Sequence, residues 1–191
     1  RRGLEDAVAN AERIQAIVSQ LRDYIRSGGS ERETVALADI LAEVGTLLRA
    51  EARHKGVSLH VDSADSATLV QADRILIEQV IINLARNAME AMAEHGSDRR
   101  ELAIQVEDGH DDHVAVQVSD SGPGIDPAMQ DHLFEPYFSS KADGLGIGLS
   151  LCRSIVESHG GSITLATPML GGTTFRFTLP ATGTSYASQA S

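Results

Sequence analysis

The sequence has no tryptophan, a single cysteine, and no apolar run approaching the roughly 18–20 residues needed to span a bilayer. Its N-terminus lacks a signal-peptide pattern. These absences predict a cytoplasmic segment without membrane contact, whatever membrane helices a parent protein carries elsewhere. The lone thiol, Cys152, excludes an internal disulfide and a cysteine-based zinc site. Its setting in an apolar helical run predicts a buried, inert side chain. Cations are also scarce: 16 Lys and Arg stand against 27 Asp and Glu, a formal charge of −11. That balance argues against a nucleic-acid-binding surface, which depends on neutralising phosphates. It leaves ATP open, because backbone N–H groups and a metal ion can hold a triphosphate.

The chain is nevertheless long enough, at 191 residues, for one good-sized domain and a small appendage. Apolar residues recur through 4–26 at Leu4, Val8, Ala11, Ile14, Ile17, Val18, Leu21, Tyr24 and Ile25. The stripe is too wide for a two-stranded seam and suits a bundle helix. Ser27-Gly28-Gly29-Ser30 ends it and marks a linker. From Thr34 the pattern changes. Helices are expected over 36–54, 72–94 and 145–159, with strands at Val57–Val61, Leu102–Glu107, Val114–Ser119, Ser162–Ala166 and Thr173–Leu179. The strands at 102–107 and 114–119 alternate apolar with polar residues, as in a half-covered sheet, and Asp108-Gly109 predicts a hairpin between them. The expected fold is a two-layer α/β sandwich, with a mixed, mostly antiparallel sheet covered by helices and preceded by one long bundle helix. The corresponding division is 1–29, 30–181 and a flexible tail at 182–191.

Three clusters carry chemistry. Asn83 and Asn87 are one turn apart on one face of the 72–94 helix, with Glu90 close by. Their amide oxygens suit a hard cation such as Mg²⁺, although a solvated helix face would look the same. Asp120-Ser121-Gly122-Pro123-Gly124-Ile125 follows an apolar strand. A carboxylate there can accept from an exocyclic amine such as that of adenine, and the glycines permit close backbone approach. An ordinary Gly/Pro turn is the alternative. Gly144-Leu145-Gly146-Ile147-Gly148-Leu149 opens a helix, where N–H groups converge on an anion. Its spacing fits neither a P-loop nor a dinucleotide fingerprint. Before it, Leu133–Lys141 has the composition of a lid with aromatic anchors, and Lys141 is either a phosphate contact or a solvated loop lysine.

In this order the segments resemble the catalytic ATP-binding domain of two-component sensor histidine kinases, within the group that includes gyrase-type and Hsp90-type ATPases. Asn83-x-x-x-Asn87 is similar to the N box, Asp120-x-Gly122-x-Gly124 to the G1 box, and Phe134–Phe138 to the F box. Gly144-x-Gly146-x-Gly148-Leu149 is similar to the G2 box, and Gly171-Gly172-Thr173-Thr174-Phe175 to the final glycine-threonine box. The wording Asn87–Met92 resembles the nitrogen-regulator and oxygen-sensor branch. The resemblance covers about residues 35–180.

It implies ATP and Mg²⁺ as cofactors, with Asn87 as the metal ligand and Asn83 supporting the phosphate region. Asp120 would bind the adenine amine, Gly122, Gly124 and Ile125 would shape the purine slot, and Thr173 would join its water network. Gly144, Gly146, Gly148, Leu149 and Lys141 would surround the phosphates. Many relatives carry a lysine where Glu90 stands, and Arg86 is the expected substitute cation. Such kinases phosphorylate a histidine on a dimeric helical hairpin and relay the group to a response-regulator aspartate. None of the seven histidines here has that setting; His110-Asp111-Asp112-His113 comes nearest but falls in a turn. The acceptor helix is therefore expected outside this fragment, with no catalytic histidine inside it. The expected partners are the phosphoacceptor helix, a response regulator and a second copy of the full-length protein. Two other readings stand beside this one. A degenerate nucleotide-binding regulatory module would keep the pocket without the transfer. A gyrase-like hydrolase is disfavoured because Asn83, not a glutamate, opens the N box.

Overall fold

The computed structural model describes residues 32–62, 68–95, 99–108, 112–138, 146–168 and 170–183. The expected 4–26 helix, the Ser27–Ser30 linker and most of the expected tail lie outside these residues. The chain divides into two compact units, Arg1–Arg32 and Glu33–Ser191, and the elements that follow belong to the second.

Three helices pack on one sheet. The first, α1 (Leu37–His54), buries Leu37, Ile40, Leu41, Val44, Leu48 and Ala52, spaced three or four apart as one helical face. The second, α2 (Arg74–Glu94), starts at Asp73, whose side chain accepts from the Leu76 N–H and so caps the first turn. The third, α3 (Gly148–Ser158), buries Cys152, Ile155 and Val156. The strands are β1 (Glu33–Ala36), β2 (Ser58–Asp62), β3 (Leu69–Ala72), β4 (Glu101–Asp108), β5 (His113–Asp120), β6 (Ile163–Ala166) and β7 (Thr174–Gly183). Their order is β1-β3-β7-β5-β4-β2, with β6 also paired to β7. Only β2 and β4 run parallel; the other pairs are antiparallel. The mixed, mostly antiparallel two-layer sandwich expected from the pattern is the fold observed.

Several details differ from expectation, each for a physical reason. The four-residue strands β1 and β3 were not expected. They pair with each other, and β3 joins the far end of β7, so long-range pairing and not local pattern creates them. This extends β7 to Gly183, past its expected end at Leu179 and into the expected tail. Pro127–His132 forms a 3-10 turn, with Pro at its start and the Asp126 carboxylate accepting from Ala128 N–H. Helix α3 begins at Gly148 and not at 145, because Gly146 has a φ of +64°. Strand β5 alternates as expected toward the core through Val114, Val116 and Val118. Its other face is buried too, since this central strand is flanked on both sides and Gln117 lies under the Glu107 carboxylate, to which it donates at 2.6 Å.

Polar links set how the helices lie against one another. Arg74 pairs with Glu43, and Arg86 with Glu51 at 3.0 Å, so α1 and α2 run side by side in the same direction. These pairs are partly exposed and contribute little to stability. The α2–α3 seam is different. His159, only 4% exposed, accepts from the Asp73 N–H at 3.1 Å through Nε2 and donates from Nδ1 to the Ile155 carbonyl at 2.7 Å. It joins the start of α2 to the end of α3. Among the described residues no helix is long and apolar enough to cross a membrane.

Replacing His159 by Phe keeps the volume and strands a buried N–H. The expected loss is roughly 1–3 kcal/mol in urea denaturation; a loss below about 0.5 kcal/mol, typical of a surface change, would show the bridge to be idle.

Candidate functional site

Helix α2 is the spine on which the site is assembled. Near its middle Asn83 meets α3: its Nδ2 donates to Cys152 Sγ at 3.1 Å, and a Cβ on Gly148 would stand 2.9 Å from the same Nδ2. Nine residues further on, Met92 meets the loop after β5. Its Cγ lies 3.3 Å from the Cβ position of Gly122, and its Sδ accepts from Ser121 Oγ at 3.5 Å. The two contacts are about 13 Å apart along the helix axis, at 1.5 Å per residue. Asn83 and Asn87 therefore stand between the glycine turn at one end and Asp120 at the other.

At the β5 end a carboxylate is clasped by backbone. Asp120 is 4% exposed. Its Oδ1 accepts from Gly122 N–H at 2.8 Å and Thr173 N–H at 3.1 Å, while its own N–H donates to the Thr173 carbonyl at 2.8 Å. The clasp requires glycine at 172, because a Cβ there would collide with Asp120 Oδ1, the Asp120 carbonyl and the Gly122 nitrogen. Burial pushes the Asp120 carboxyl above the ordinary carboxylate range, and the two N–H donors oppose that shift. Oδ2 takes no part in either bond. Beside the clasp opens a cleft of about 330 Å³ lined by Gly124, Ile125, Gln130, Leu165 and Thr173 among others.

At the α3 end, Gly146 with φ +64° approaches the backbone of Tyr137 and Phe138 so closely that no Cβ fits, and its carbonyl accepts from Tyr137 N–H at 3.0 Å. Tyr137 itself has φ +67° and is exposed, an uncommon backbone for a bulky residue. Phe134 anchors the preceding segment edge-on against Phe175, with the Arg153 guanidinium 5.8 Å from its ring centre. Phe138, inside the expected Leu133–Lys141 lid, is thus held against Gly146. Lys141 and Gly144 lie outside the described residues.

The structure brings together Asn83, Gly148 and Cys152 at one end, and Asp120, Gly122 and Thr173 at the other, with Gly124 and Ile125 lining the adjoining cleft. Asn87 and Leu149 are half-buried, each on the element that carries its neighbour. Arg86 is the exception. A helix turns about 100° per residue, which swings Arg86 away from Asn87 and toward α1, where it pairs with Glu51. Sequence reasoning also missed three contributors. Gly172 was legible only as part of a glycine pair. Cys152 is buried, as expected, with its thiol pushed up to about 12, yet its hydrogen bond to Asn83 crosses 69 residues and leaves no local signal. His159 lacked any helical acceptor context, and its structural role depends on tertiary contact alone.

With this geometry in view, the comparisons with known proteins are direct. Residues 72–183 match the family of histidine kinase-, DNA gyrase B- and HSP90-like ATPases, and the chain belongs to that family. Within it the likeness is to sensor histidine kinases. The sensor protein FixL of Bradyrhizobium diazoefficiens is 43% identical over 178 residues, 93% of this chain and 35% of that protein. The C4-dicarboxylate transport sensor protein DctS of Rhodobacter capsulatus is 38% identical over 180 residues, 94% of this chain and 27% of its own length. The chain thus spans about a third or less of the length of these two relatives. The catalytic domain of histidine kinase ThkA superposes with a TM-score of 0.69 at 34% identity, covering 78% of this chain and 95% of that one.

The buried Asp120 charge makes a testable statement about stability. A carboxyl whose folded pKa is raised loses folding free energy as pH rises through the carboxylate range, and the loss persists above it. Asp120→Asn keeps an oxygen for both N–H donors and removes the charge. Urea denaturation at pH 7 is expected to show this variant at least as stable as the wild type, with the gap closing near pH 3, below the usual Asp pKa. A variant less stable at both pH values by the same margin would contradict the clasp's electrostatics.

Proposed function

We propose that this chain binds Mg²⁺·ATP as the catalytic module (residues 30–181) of a sensor histidine kinase. The parent protein would transfer the γ-phosphoryl group to a histidine on a separate helix. The observation that carries this reading is the arrangement along α2. A buried carboxylate with a free oxygen lies at one end, two amide side chains stand one turn apart in the middle, and a glycine turn opens α3 at the other end.

Each part has a role that its chemistry fits. Asp120 Oδ2 would accept from the adenine amine, a contact that a guanine, with a carbonyl at that position, cannot make. Gly122, Gly124, Ile125 and Thr173 would bound the purine. Mg²⁺ takes oxygen ligands and keeps several from water and phosphate; Asn87 would supply one protein oxygen, with Asn83 beside it. Bound there, the ion would neutralise phosphate charge. The N–H groups around Gly146, Gly148 and Leu149, with Lys141 and Gly144 nearby in sequence, would hold the phosphates at a helix start. Positioning and electrostatics of this kind supply most of the catalysis in phosphoryl transfer. The P–N bond would form on the acceptor imidazole as the bond to the β–γ bridging oxygen breaks.

The positions of the described histidines support an acceptor on a separate helix. His54 and His95 end helices, His60 and His113 lie on strands, His132 closes the 3-10 turn, and His159 is buried in the helix seam. A solved complex of ThkA with the response regulator TrrA, 28% identical with a TM-score of 0.70, covers 90% of this chain and 49% of that one. It supports a response-regulator aspartate as the next acceptor. Cytoplasmic placement and dimerisation of the full-length protein belong to the same proposal. The Arg86–Glu51 pair favours a second reading, a regulatory module that binds nucleotide without transferring phosphate, since it removes one expected cation from the phosphates.

Calorimetry with Mg²⁺·ATP tests the pocket. Asp120→Asn is expected to weaken binding at least about tenfold, as loss of a hydrogen bond to a charged group does, and Asn87→Ala to reduce the Mg²⁺-dependent part. Unchanged affinity in both variants would refute the assignment. Supplying a phosphoacceptor hairpin in trans then separates the readings: acid-labile phosphate on the hairpin marks a kinase, and nucleotide binding without it marks the regulatory module.

A further inference from the structure

Cys152 stands one helical turn after Gly148 on α3, and both residues meet Asn83 on α2. Asn83 Nδ2 donates to Cys152 Sγ at 3.1 Å. Cys152 Sγ also lies 3.9 Å from the Val80 carbonyl, a weak acceptor toward which its S–H can turn. Val80 and Asn83 are three apart on α2, so one sulfur spans a single turn of that helix. A primary amide is planar, with two N–H donors on one side and its acceptor oxygen on the other. With the S–H toward Val80, sulfur offers Asn83 a lone pair, which suits the amide nitrogen. Gly148 leaves the amide its room: a Cβ there would come within 2.9 Å of Nδ2 and 3.2 Å of Oδ1.

We propose that Cys152 is a positioning residue for the nucleotide site: it holds Asn83 by its nitrogen so that the amide oxygen is presented to the metal–phosphate region. The inference rests on the Mg²⁺·ATP reading above and assigns a task to a side chain that composition alone marks as inert packing. No thiolate chemistry is involved. Burial pushes the thiol up to about 12, so it stays a neutral acceptor at any physiological pH.

The test begins without nucleotide. In the 191-residue chain, the Asn83 side-chain NH₂ resonances, assigned by their loss in Asn83→Ala, are expected to be well separated and slow to exchange. Cys152→Ala should collapse that separation and speed exchange, and Cys152→Ser, which keeps donor and acceptor, should preserve both. In calorimetry Cys152→Ala should weaken Mg²⁺·ATP binding roughly tenfold, as second-layer partners of metal sites do. ATP binding in EDTA should be unchanged, and Cys152→Ser should restore most of the loss. Adding Cys152→Ala to Asn83→Ala should cost nothing further. Unchanged Mg²⁺·ATP affinity in Cys152→Ala, an equal loss with and without Mg²⁺, or an undiminished effect in the Asn83→Ala background would each overturn the proposal. If Cys152→Ala does not fold, Cys152→Val fills the space without an acceptor, and its comparison with Cys152→Ser decides the same question. A wild-type chain that fails to bind Mg²⁺·ATP would overturn the nucleotide reading instead, while the resonance measurement still tests the Cys152–Asn83 link.

Discussion

The structure depends on one helix having two incompatible duties. Helix α2 must bury Leu76, Ile77, Val80, Ile81, Leu84, Ala85, Ala88, Met89 and Met92 to build the core. The same helix must keep two half-buried amides, Asn83 against α3 and Asn87 one turn further on. Burying an amide without partners costs free energy, so the polar seam has to be satisfied within the fold. Cys152 satisfies Asn83, and His159 satisfies the backbone at Asp73. With both ends of the α2–α3 seam fixed, the start of α3 falls where Gly148 lies beside Asn83.

The other end of the site obeys a related constraint. A carboxylate at the end of a central strand is expensive to bury, and the chain offsets that cost with two backbone N–H donors reached through Gly122 and Gly172. Neither glycine could carry a side chain without displacing the clasp or Met92. The result is a fixed acceptor with one free oxygen, set against a cleft and held by parts of the chain 53 residues apart. Rigidity here comes from the sheet pairing of β5 with β7, which places Ser119 opposite Thr174 and delivers Thr173 to Asp120.

Much of this was legible in the sequence because the relevant signals are local. The helical period of α1 and α2, the alternation of β4 and β5, and the glycine clusters after β5 and before α3 all report on neighbours within a few residues. The end of β5 follows from Asp120 as a strand end, whereas the Asp73 cap that starts α2 emerged only in the structure. What was not legible depends on distant pairing. The strands β1 and β3 exist because they meet each other and the end of β7. Gly148 is close to Asn83, and Gly172 to Asp120, only after the chain has folded. Arg86, close in sequence to Asn87, is rotated by the helix toward Glu51, with which it pairs.

The central claim is that a nucleotide lies along α2 between Asp120 and the start of α3. The most direct measurement is a backbone and side-chain NMR titration of the 191-residue chain with Mg²⁺·ATP. The account predicts saturable shifts at Gly122, Gly124, Gly172, Thr173, Gly146 and Gly148 and at the side-chain amides of Asn83 and Asn87, with β2 and its pairing to β4 unmoved. Saturable shifts confined to β2 and β4, or no saturable shift at all, would contradict it.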